Sequence, residues 1–221
     1  MKLPQDLYII GLTGGSGAGK GLVAARLAHH GIPTLDTDLV SRKVTEVGEP
    51  CLDALALHFG KAFLLPDGSL DRRRLATHVF SAPDADGDEN VKRERLDALN
   101  RITHKYILEA CEGWAQAQYD AGHRTVCMDA PQLFESGEDA LCDITVAVLS
   151  DSKTRLSRIL LRDGVPEEYA RARMASQKPD EFFREHCTYV IENNGTEKEL
   201  QDRAESFAKN VLRSAPKKES L

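Results

Sequence analysis

The sequence predicts an α/β fold with three layers, in which helices cover both faces of a parallel sheet. Short apolar runs typical of strands recur along the chain, at residues 8–12, 124–129 and 144–149. Segments with helical periodicity separate these runs, and parallel strands require crossovers of that kind. The last run is almost wholly apolar, as in a parallel strand buried on both faces. A glycine-rich turn follows the first run, at the edge where an open parallel sheet binds its ligands.

The glycine-rich turn, residues 14–21, has the sequence GGSGAGKG. Its spacing fits the motif G-x-x-x-x-G-K, in which the glycines let successive backbone N–H groups converge on phosphate oxygens. Lys20 adds a positive charge, and the helix that follows directs its N-terminus at the same anion. A tight turn without a ligand is the less favoured alternative, because a strand precedes the loop and a helix follows it. We expect nucleotide phosphates to bind at Gly14, Gly15, Ser16, Gly17, Ala18, Gly19, Lys20, Gly21 and Leu22.

The composition is that of a globular protein with one core. The chain has 221 residues, of which 41% are hydrophobic and 29% charged, and this length suits one α/β core with a modest insertion. The net charge of −6 excludes an overall basic field of the kind that attracts nucleic acid. A small phosphorylated ligand fits this charge better, and we expect no nucleic-acid partner.

Cysteine usage and hydropathy indicate the cellular setting. The five cysteines are scattered and never spaced as C-x-x-C, so neither a disulfide framework nor a cysteine metal site is favoured. The first apolar stretch is too short for a signal peptide, and no run has the length needed to span a bilayer. We expect a cytoplasmic protein without membrane association, present as a monomer or a weak homo-oligomer.

Acidic residues follow two of the predicted strands. Asp36 and Asp38 come at the end of a short strand at residues 32–35, and Asp129 ends a later one. If the chain stays extended, the alternation of side chains along a strand places Asp36 and Asp38 on the same face. Acids at a phosphate site can divide two tasks, with one holding Mg²⁺ or its water and another accepting a proton. We assign Asp36 and Asp129 to the metal. For Asp38, a cap on the helix that begins at Leu39 is the other interpretation, and both roles can hold together.

Residues 39–121 are predicted to be mostly helical and to form an insertion into the sheet core. The longest helix comes last, and its apolar side chains repeat every three or four residues as in core packing. His104 lies on that helix, where a structural role is commoner than a substrate contact. Acids alternate in the stretch 82–90, but the twelfth position of a calcium loop counted from Asp84 is Arg95, so a solvated loop is predicted. Helix breaks are expected at residues 48–50, 66–68 and 82–90.

Arginines are concentrated in two predicted helices, Ser152–Asp163 and residues 167–177. Arg155, Arg158 and Arg162 are spaced to share one face of the first helix, and Arg173 and Gln177 share a face of the second. Exposed arginines are usually solvated. In a phosphate-transfer protein, however, two such helices are typical of a lid that closes over a nucleotide, because guanidinium groups grip phosphate in two places.

A last strand and helix complete the predicted core. Residues 188–192 form the strand, and the following Asn-Asn-Gly sequence is explained by a turn. Because this turn falls at the carboxyl edge of the sheet, Asn194 is also a candidate contact to adenine. The final helix runs from Lys198 to about Leu212, and a frayed tail is expected after it.

Six spaced blocks together resemble the dephospho-CoA kinase family, whose members use ATP to phosphorylate the ribose 3′-hydroxyl of dephospho-CoA. The blocks are GLTGGSGAGK at residues 11–20, DTDLVSR at 36–42, ITH at 102–104, MDAPQLFE at 128–135, RARMASQ at 171–177 and ENNGT at 192–196. Together they span nearly the whole chain. The resemblance implies a P-loop NTPase fold with a nucleotide-binding core (1–38, 122–150 and 186–215), a helical substrate domain (39–121), a helical lid (151–185) and a flexible tail (216–221).

The resemblance also implies a role for each matched residue. Asp38 matches the family's catalytic acid, and Lys20 stabilises the charge of the moving phosphoryl group. Arg155, Arg158 and Asn194 are expected to contact ATP in addition to the loop. Mg²⁺ would be the metal held by Asp36 and Asp129. The substrate contacts implied are Arg42, His104, Glu135, Arg173 and Gln177.

The chain departs from the family pattern at Gly21, Lys105 and Gln132. Gly21 stands where the loop motif has a serine or threonine that ligates Mg²⁺. Because Mg²⁺ usually keeps several waters, we expect a water to take the place of that hydroxyl. Another small P-loop kinase, acting on a nucleoside monophosphate, and a degenerate ATP-binding protein are the alternatives. A GTPase is disfavoured because the chain has no N-K-x-D motif.

Overall fold

The computed structural model describes residues 3–80 and 89–215. The chain divides into two compact units, Met1–Thr37 with Glu112–Leu221, and Asp38–Cys111. The predicted tail at 216–221 and residues 82–88 of the predicted loop lie outside the described residues. The last two residues of that predicted loop, Glu89 and Asn90, belong to a helix. Within the described ranges, no helix combines the length and apolar character needed to cross a bilayer.

The first unit is built on a parallel sheet. Its strands, within the described residues, are β1 (Tyr8–Thr13), β2 (Thr34–Asp36), β3 (Thr125–Asp129), β4 (Ile144–Leu149) and β5 (Tyr189–Glu192). They are ordered β2-β3-β1-β4-β5, and every pairing is parallel. The predicted α/β fold is therefore confirmed. From β1 the chain goes to β2 at one edge of the sheet, whereas from β3 it goes past β1 to β4 in the opposite direction. The loops after the neighbouring strands β1 and β3 therefore lead apart, and an open parallel sheet binds its ligands at the carboxyl ends of two such strands.

Within the described residues, α-helices separate all consecutive strands except β3 and β4. They are α1 (Lys20–His29), α2 (Thr37–Lys43), α3 (Pro50–Phe59), α4 (Arg72–Phe80), α5 (Glu89–Asp120), α6 (Ser152–Asp163), α7 (Glu167–Ala175), α8 (Asp180–His186) and α9 (Glu197–Ser214).

Helices cover both faces of the sheet, which gives the three layers. On one face, Leu27 of α1 and Phe207 of α9 belong to the same buried cluster as Leu12 of β1. On the other face, Phe183 of α8 packs in a second cluster with Ala147 of β4. Alternate side chains of β4 belong to different clusters, and all six of its residues are buried. This burial on both faces explains why its sequence is almost wholly apolar.

The second unit is helical, as predicted. Pro50 occupies the first turn of α3, where the missing N–H costs no intrahelical hydrogen bond. The chain turns at residues 66–68, and Leu64 and Leu70 form an isolated antiparallel bridge beside that turn. Leu55 of α3 and Leu75 of α4 are both buried, so the apolar faces of these helices supply core residues.

Three local predictions were wrong. The chain does not stay extended to Asp38, because α2 begins at Thr37; Asp38 therefore lies in the first helical turn and does not precede it as a cap. Helix α7 ends at Ala175, so Gln177 lies beyond it and does not share a helical face with Arg173. Helix α8 was not predicted at all, because seven residues with one buried side chain are too few to show a helical period.

Candidate active site

The glycine-rich loop connects β1 to α1 at the centre of the sheet. Gly14 and Gly19 have φ values of 133° and 104°, a region that L side chains rarely adopt. A Cβ on Gly14 would lie 2.2 Å from the backbone oxygen of Val148, and one on Gly19 would lie 2.4 Å from Nδ2 of Asn193. The loop path therefore requires glycine at both positions, for backbone conformation and for space.

The start of α1 presents its positive end to this loop. Helix α1 begins at Lys20, and its first turn contains no acidic residue. Its N-cap residue, Gly19, provides no side chain to bind the first-turn N–H groups, and these groups carry the partial positive charge of the helix end. This arrangement suits an anion such as phosphate.

Lys20 lies beside two carboxylates at the same edge of the sheet. Its Nζ atom is 3.6 Å from Oδ1 of Asp129, and both side chains are largely buried. Asp36, the last residue of β2, is directly opposite Asp129 in the register of β2 and β3. The structure thus brings together the three charged residues predicted at Lys20, Asp36 and Asp129, with a cation and two acids at the carboxyl edge.

Asp36 and Asp129 have the donor chemistry that Mg²⁺ prefers, since carboxylate oxygen is its usual protein ligand. In residues 3–80 and 89–215, no group of three or more His, Cys, Asp or Glu side chains converges as a metal site. Two carboxylates at one edge of the sheet fit a cation that takes few ligands from the protein and the others from phosphate and water, as Mg²⁺ does.

Asp38 and Arg42 lie on α2, which begins the second unit. Both side chains are exposed. They are four positions apart, so they are neighbours on one face of the helix. Because consecutive Cα atoms are about 3.8 Å apart, the Cα of Asp38 stays within about 7.6 Å of that of Asp36. Chain connectivity alone keeps the predicted catalytic acid near the end of β2.

Arg155 of α6 contacts the glycine-rich loop directly. Its Nε atom donates to the backbone oxygen of Ser16 at 3.0 Å, and its remaining nitrogens reach Oε1 of Gln177 at 2.6 Å and Oδ1 of Asp180 at 3.5 Å. The residue is only 7% exposed. Burial lowers the pKa of the Arg155 guanidinium, and the Asp180 carboxylate partly offsets that effect. The arginine thus lies packed against the loop.

Arg158 and Asn193 contact the next two loop residues. A guanidinium nitrogen of Arg158 donates to the backbone oxygen of Gly17 at 3.3 Å. Asn193, which is 3% exposed, donates from Nδ2 to the backbone oxygen of Ala18 at 2.7 Å, and its Oδ1 accepts a 3.3 Å hydrogen bond from Arg158. Sequence reasoning missed Asn193, because an Asn-Asn-Gly sequence is explained by a turn and gives no sign of a partner 175 positions earlier.

Gln177 lies at the loop as well, whereas the other predicted substrate residues have different surroundings. The Oε1 atom of Gln177 accepts a 3.0 Å hydrogen bond from the backbone N–H of Ser16, and its Nε2 lies 3.2 Å from Oγ of Ser16. Arg173 is exposed on α7 and pairs with Asp163 at 3.1 Å. Glu135 is exposed after β3, and His104 is half-buried on α5. Asn194, which was predicted to contact ATP, is exposed and accepts a hydrogen bond from the backbone N–H of Asp151.

The assembled site can bind a polyphosphate chain. Its glycine backbone, helix N-terminus and lysine attract the anion, and the two acids beside them suit a divalent cation. None of the five cysteines is in a disulfide, and burial raises the pKa of Cys127 and Cys142, which disfavours either of these thiols as a nucleophile. The chemistry favoured is transfer of a phosphoryl group by positioning and charge stabilisation.

Comparison with known proteins agrees with this chemistry. A dephospho-CoA kinase from Corynebacterium glutamicum is 37% identical over 203 residues, covering 92% of this chain and 96% of its own length. The crystal structure of TT1252 from Thermus thermophilus superposes with a TM-score of 0.74 at 32% identity, covering 96% of this chain and 100% of that one. A dephospho-CoA kinase from Campylobacter jejuni, at 19% identity and a TM-score of 0.66 over 93% of this chain and 98% of its own, shares the P-loop NTPase fold. The family model for dephospho-CoA kinase matches residues 8–199. The chain belongs to the dephospho-CoA kinase family.

Proposed function

We propose that this protein transfers the γ-phosphoryl group of ATP to the ribose 3′-hydroxyl of dephospho-CoA, forming CoA and ADP. The observation that carries the proposal is the pairing of Lys20 with Asp129 at the glycine loop, with Asp36 in register beside it. Membership of the dephospho-CoA kinase family supports the choice of acceptor.

The proposed reaction is a single in-line displacement. The 3′-hydroxyl oxygen attacks the γ-phosphorus, the bond from that phosphorus to the β,γ-bridging oxygen breaks, and ADP leaves. Asp38 accepts the hydroxyl proton as general base, and Lys20 stabilises negative charge on the transferred group. The position of Asp38 suits the base role, because its side chain is exposed on the first turn of α2, two residues after Asp36 ends β2.

We infer that Asp36 and Asp129 hold Mg²⁺. When bound, this ion neutralises phosphate charge, and water would occupy the position that Gly21 does not fill. The protein's own contribution is to place two carboxylates and one lysine at the carboxyl edge of the sheet.

The remaining predicted residues complete the proposal. Arg155, Arg158 and Asn194 would contact ATP at the loop side, and Gln177, which binds Ser16, would contact dephospho-CoA. Arg42, His104, Glu135 and Arg173 would contact dephospho-CoA. Residues 39–121 would then form the substrate domain and 151–185 the lid. We also infer a cytoplasmic location, since cysteines that form no disulfide suit a reducing compartment. The protein would be a monomer or a weak homo-oligomer.

The test is an acceptor panel analysed by mass spectrometry. The protein is incubated with ATP and Mg²⁺ and with dephospho-CoA, AMP, CMP or UMP, and each product is identified. We expect dephospho-CoA to gain one phosphoryl group and the monophosphates to remain unchanged. A nucleoside diphosphate as the main product would identify a nucleoside monophosphate kinase, and the absence of any product would identify an ATP-binding protein without transfer activity.

A further inference from the structure

Three consecutive backbone oxygens of the glycine loop each accept a hydrogen bond from a side chain that follows β4 or β5. Ser16 O accepts from Arg155 Nε at 3.0 Å, Gly17 O from Arg158 at 3.3 Å and Ala18 O from Asn193 Nδ2 at 2.7 Å. We call Arg155, Arg158 and Asn193 the carbonyl clamp. It fixes one peptide plane after another in a loop that has little side-chain packing of its own.

The clamp also determines where the loop N–H groups point. A peptide unit is planar and trans, so the oxygen of one residue and the N–H of the next point in opposite directions. Holding the oxygens of residues 16 to 18 on the clamp side therefore turns the N–H groups of Gly17, Ala18 and Gly19 away from it. Ala18 N–H donates to Gly15 O at 3.1 Å and closes a turn. The N–H groups of Gly17 and Gly19 are left as the donors that the clamp directs toward the phosphate side.

The clamp is itself held firmly. Asn193 N–H donates to Leu149 O at 2.7 Å, and Asn193 O accepts from Ser150 Oγ at 2.8 Å, so its backbone is tied to the end of β4. Arg155 is buried among Ser16, Gln177 and Asp180. A side chain anchored in this way reduces the conformational freedom that the loop would otherwise lose on binding phosphate.

We propose that Asn193, together with Arg155, is a positioning residue that preorganises the loop for the phosphate chain of the nucleotide. This inference rests on the proposed function only in taking the loop as the phosphate site. Asn193 touches no reacting atom; it acts through the carbonyl of Ala18. Loss of the clamp should therefore weaken binding of phosphate groups and leave recognition of the base unchanged.

The test compares inorganic triphosphate and ADP as ligands by isothermal titration calorimetry with the full chain. The variants are Asn193→Ala and Arg155→Lys, and the matched controls are Asn210→Ala and Arg171→Lys, which alter exposed residues on α9 and α7. Removing one hydrogen bond to a loop carbonyl should weaken both ligands by about tenfold. The controls should bind like the parent chain, and the KM for ATP should rise by about the same factor.

Equal loss of affinity for triphosphate and ADP supports the clamp. Weaker ADP binding with unchanged triphosphate binding would identify Asn193 as a base contact and overturn the proposal, as would unchanged affinity for both. If Asn193→Ala does not melt cooperatively, Asn193→Leu, which has a similar size and lacks the Nδ2 donor, decides by the same comparison, because Arg155 is itself expected to contact ATP. Because triphosphate binding is measured without an acceptor, the clamp can be confirmed even if dephospho-CoA proves not to be the substrate.

Discussion

Substitution of Gly21 by serine tests how this loop holds its cation. A Cβ on Gly21 would have no heavy atom within 4 Å, and the residue is exposed in the first turn of α1. Serine should therefore fit without strain. Its higher helix propensity should stabilise the fold by about 0.5 kcal/mol or less, which corresponds to a rise in Tm of about 1–2 °C for a chain of this size.

The effect of Gly21→Ser on the Mg²⁺ requirement is measured by titrating Mg²⁺ at a fixed ATP concentration and recording the rate of ADP release. A serine hydroxyl at this position can replace a water in the cation's shell. Gly21→Ser should therefore reach half-maximal rate at a lower Mg²⁺ concentration than the parent chain.

Gly21→Ala is the matched control, because alanine fills the same open space and lacks the hydroxyl. It should raise Tm by about 2–4 °C, from a propensity gain of about 1 kcal/mol or less, and leave the Mg²⁺ dependence unchanged. A fall in Tm for both variants would contradict the open space at Gly21. Identical Mg²⁺ curves for serine and alanine would refute the substituted-water explanation.

Three other changes test charge in the site and on helix α9. Lys20→Ala should lower turnover about 10²- to 10³-fold, the usual loss for one transition-state donor, with cooperative melting as the control. Asp38→Asn should lower turnover in the same direction, and near-normal turnover in a coupled ADP assay would remove Asp38 as the base. Hydrogen bonds from His30 and Lys209 lower the pKa of Glu205 to about 2, from 4.5. Because the folded state favours the ionised form, this contribution to stability is present above about pH 4.5 and is lost as pH falls through about 2. Urea unfolding of Glu205→Gln should show a weaker decline of stability over that range, and parallel declines would refute the assignment.

The sheet core was predictable because its signals are local. The bounds of β4 and α6 follow from an apolar run and from helical periodicity, and the structure has them at the predicted residues, Ile144–Leu149 and Ser152–Asp163. The glycine loop was also predictable, because its glycines are spaced as a phosphate-binding motif. In the structure, the positive φ values of Gly14 and Gly19 and the neighbouring atoms at these positions both require glycine. Short elements such as α8 carry too few residues for any period to appear.

The surroundings of the loop were not predictable, because they depend on contacts between distant parts of the chain. The spacing of Arg155 predicted one face of a lid helix but not the partner of its guanidinium, Ser16, which lies 139 positions earlier. Asn193 has the sequence context of a turn, yet its amide holds Ala18. Asp38 was misplaced by a local effect, since its predicted side depended on an extended chain and α2 begins at Thr37, two residues before the predicted helix start at Leu39. Its proximity to Asp36 survives only because two residues cannot separate far.

The most direct test of the proposed activity is a competition in one tube. Limiting ATP and Mg²⁺ are added to the protein with equal concentrations of dephospho-CoA and isotope-labelled AMP, so that ADP formed from AMP differs in mass from ADP formed from ATP, and the products are separated and quantified by mass. We predict that the phosphoryl group is recovered in a product that co-elutes with authentic CoA, and that its yield falls sharply with Lys20→Ala. Recovery of the phosphoryl group in ADP formed from AMP, or as free phosphate with both acceptors intact, would contradict the proposed function.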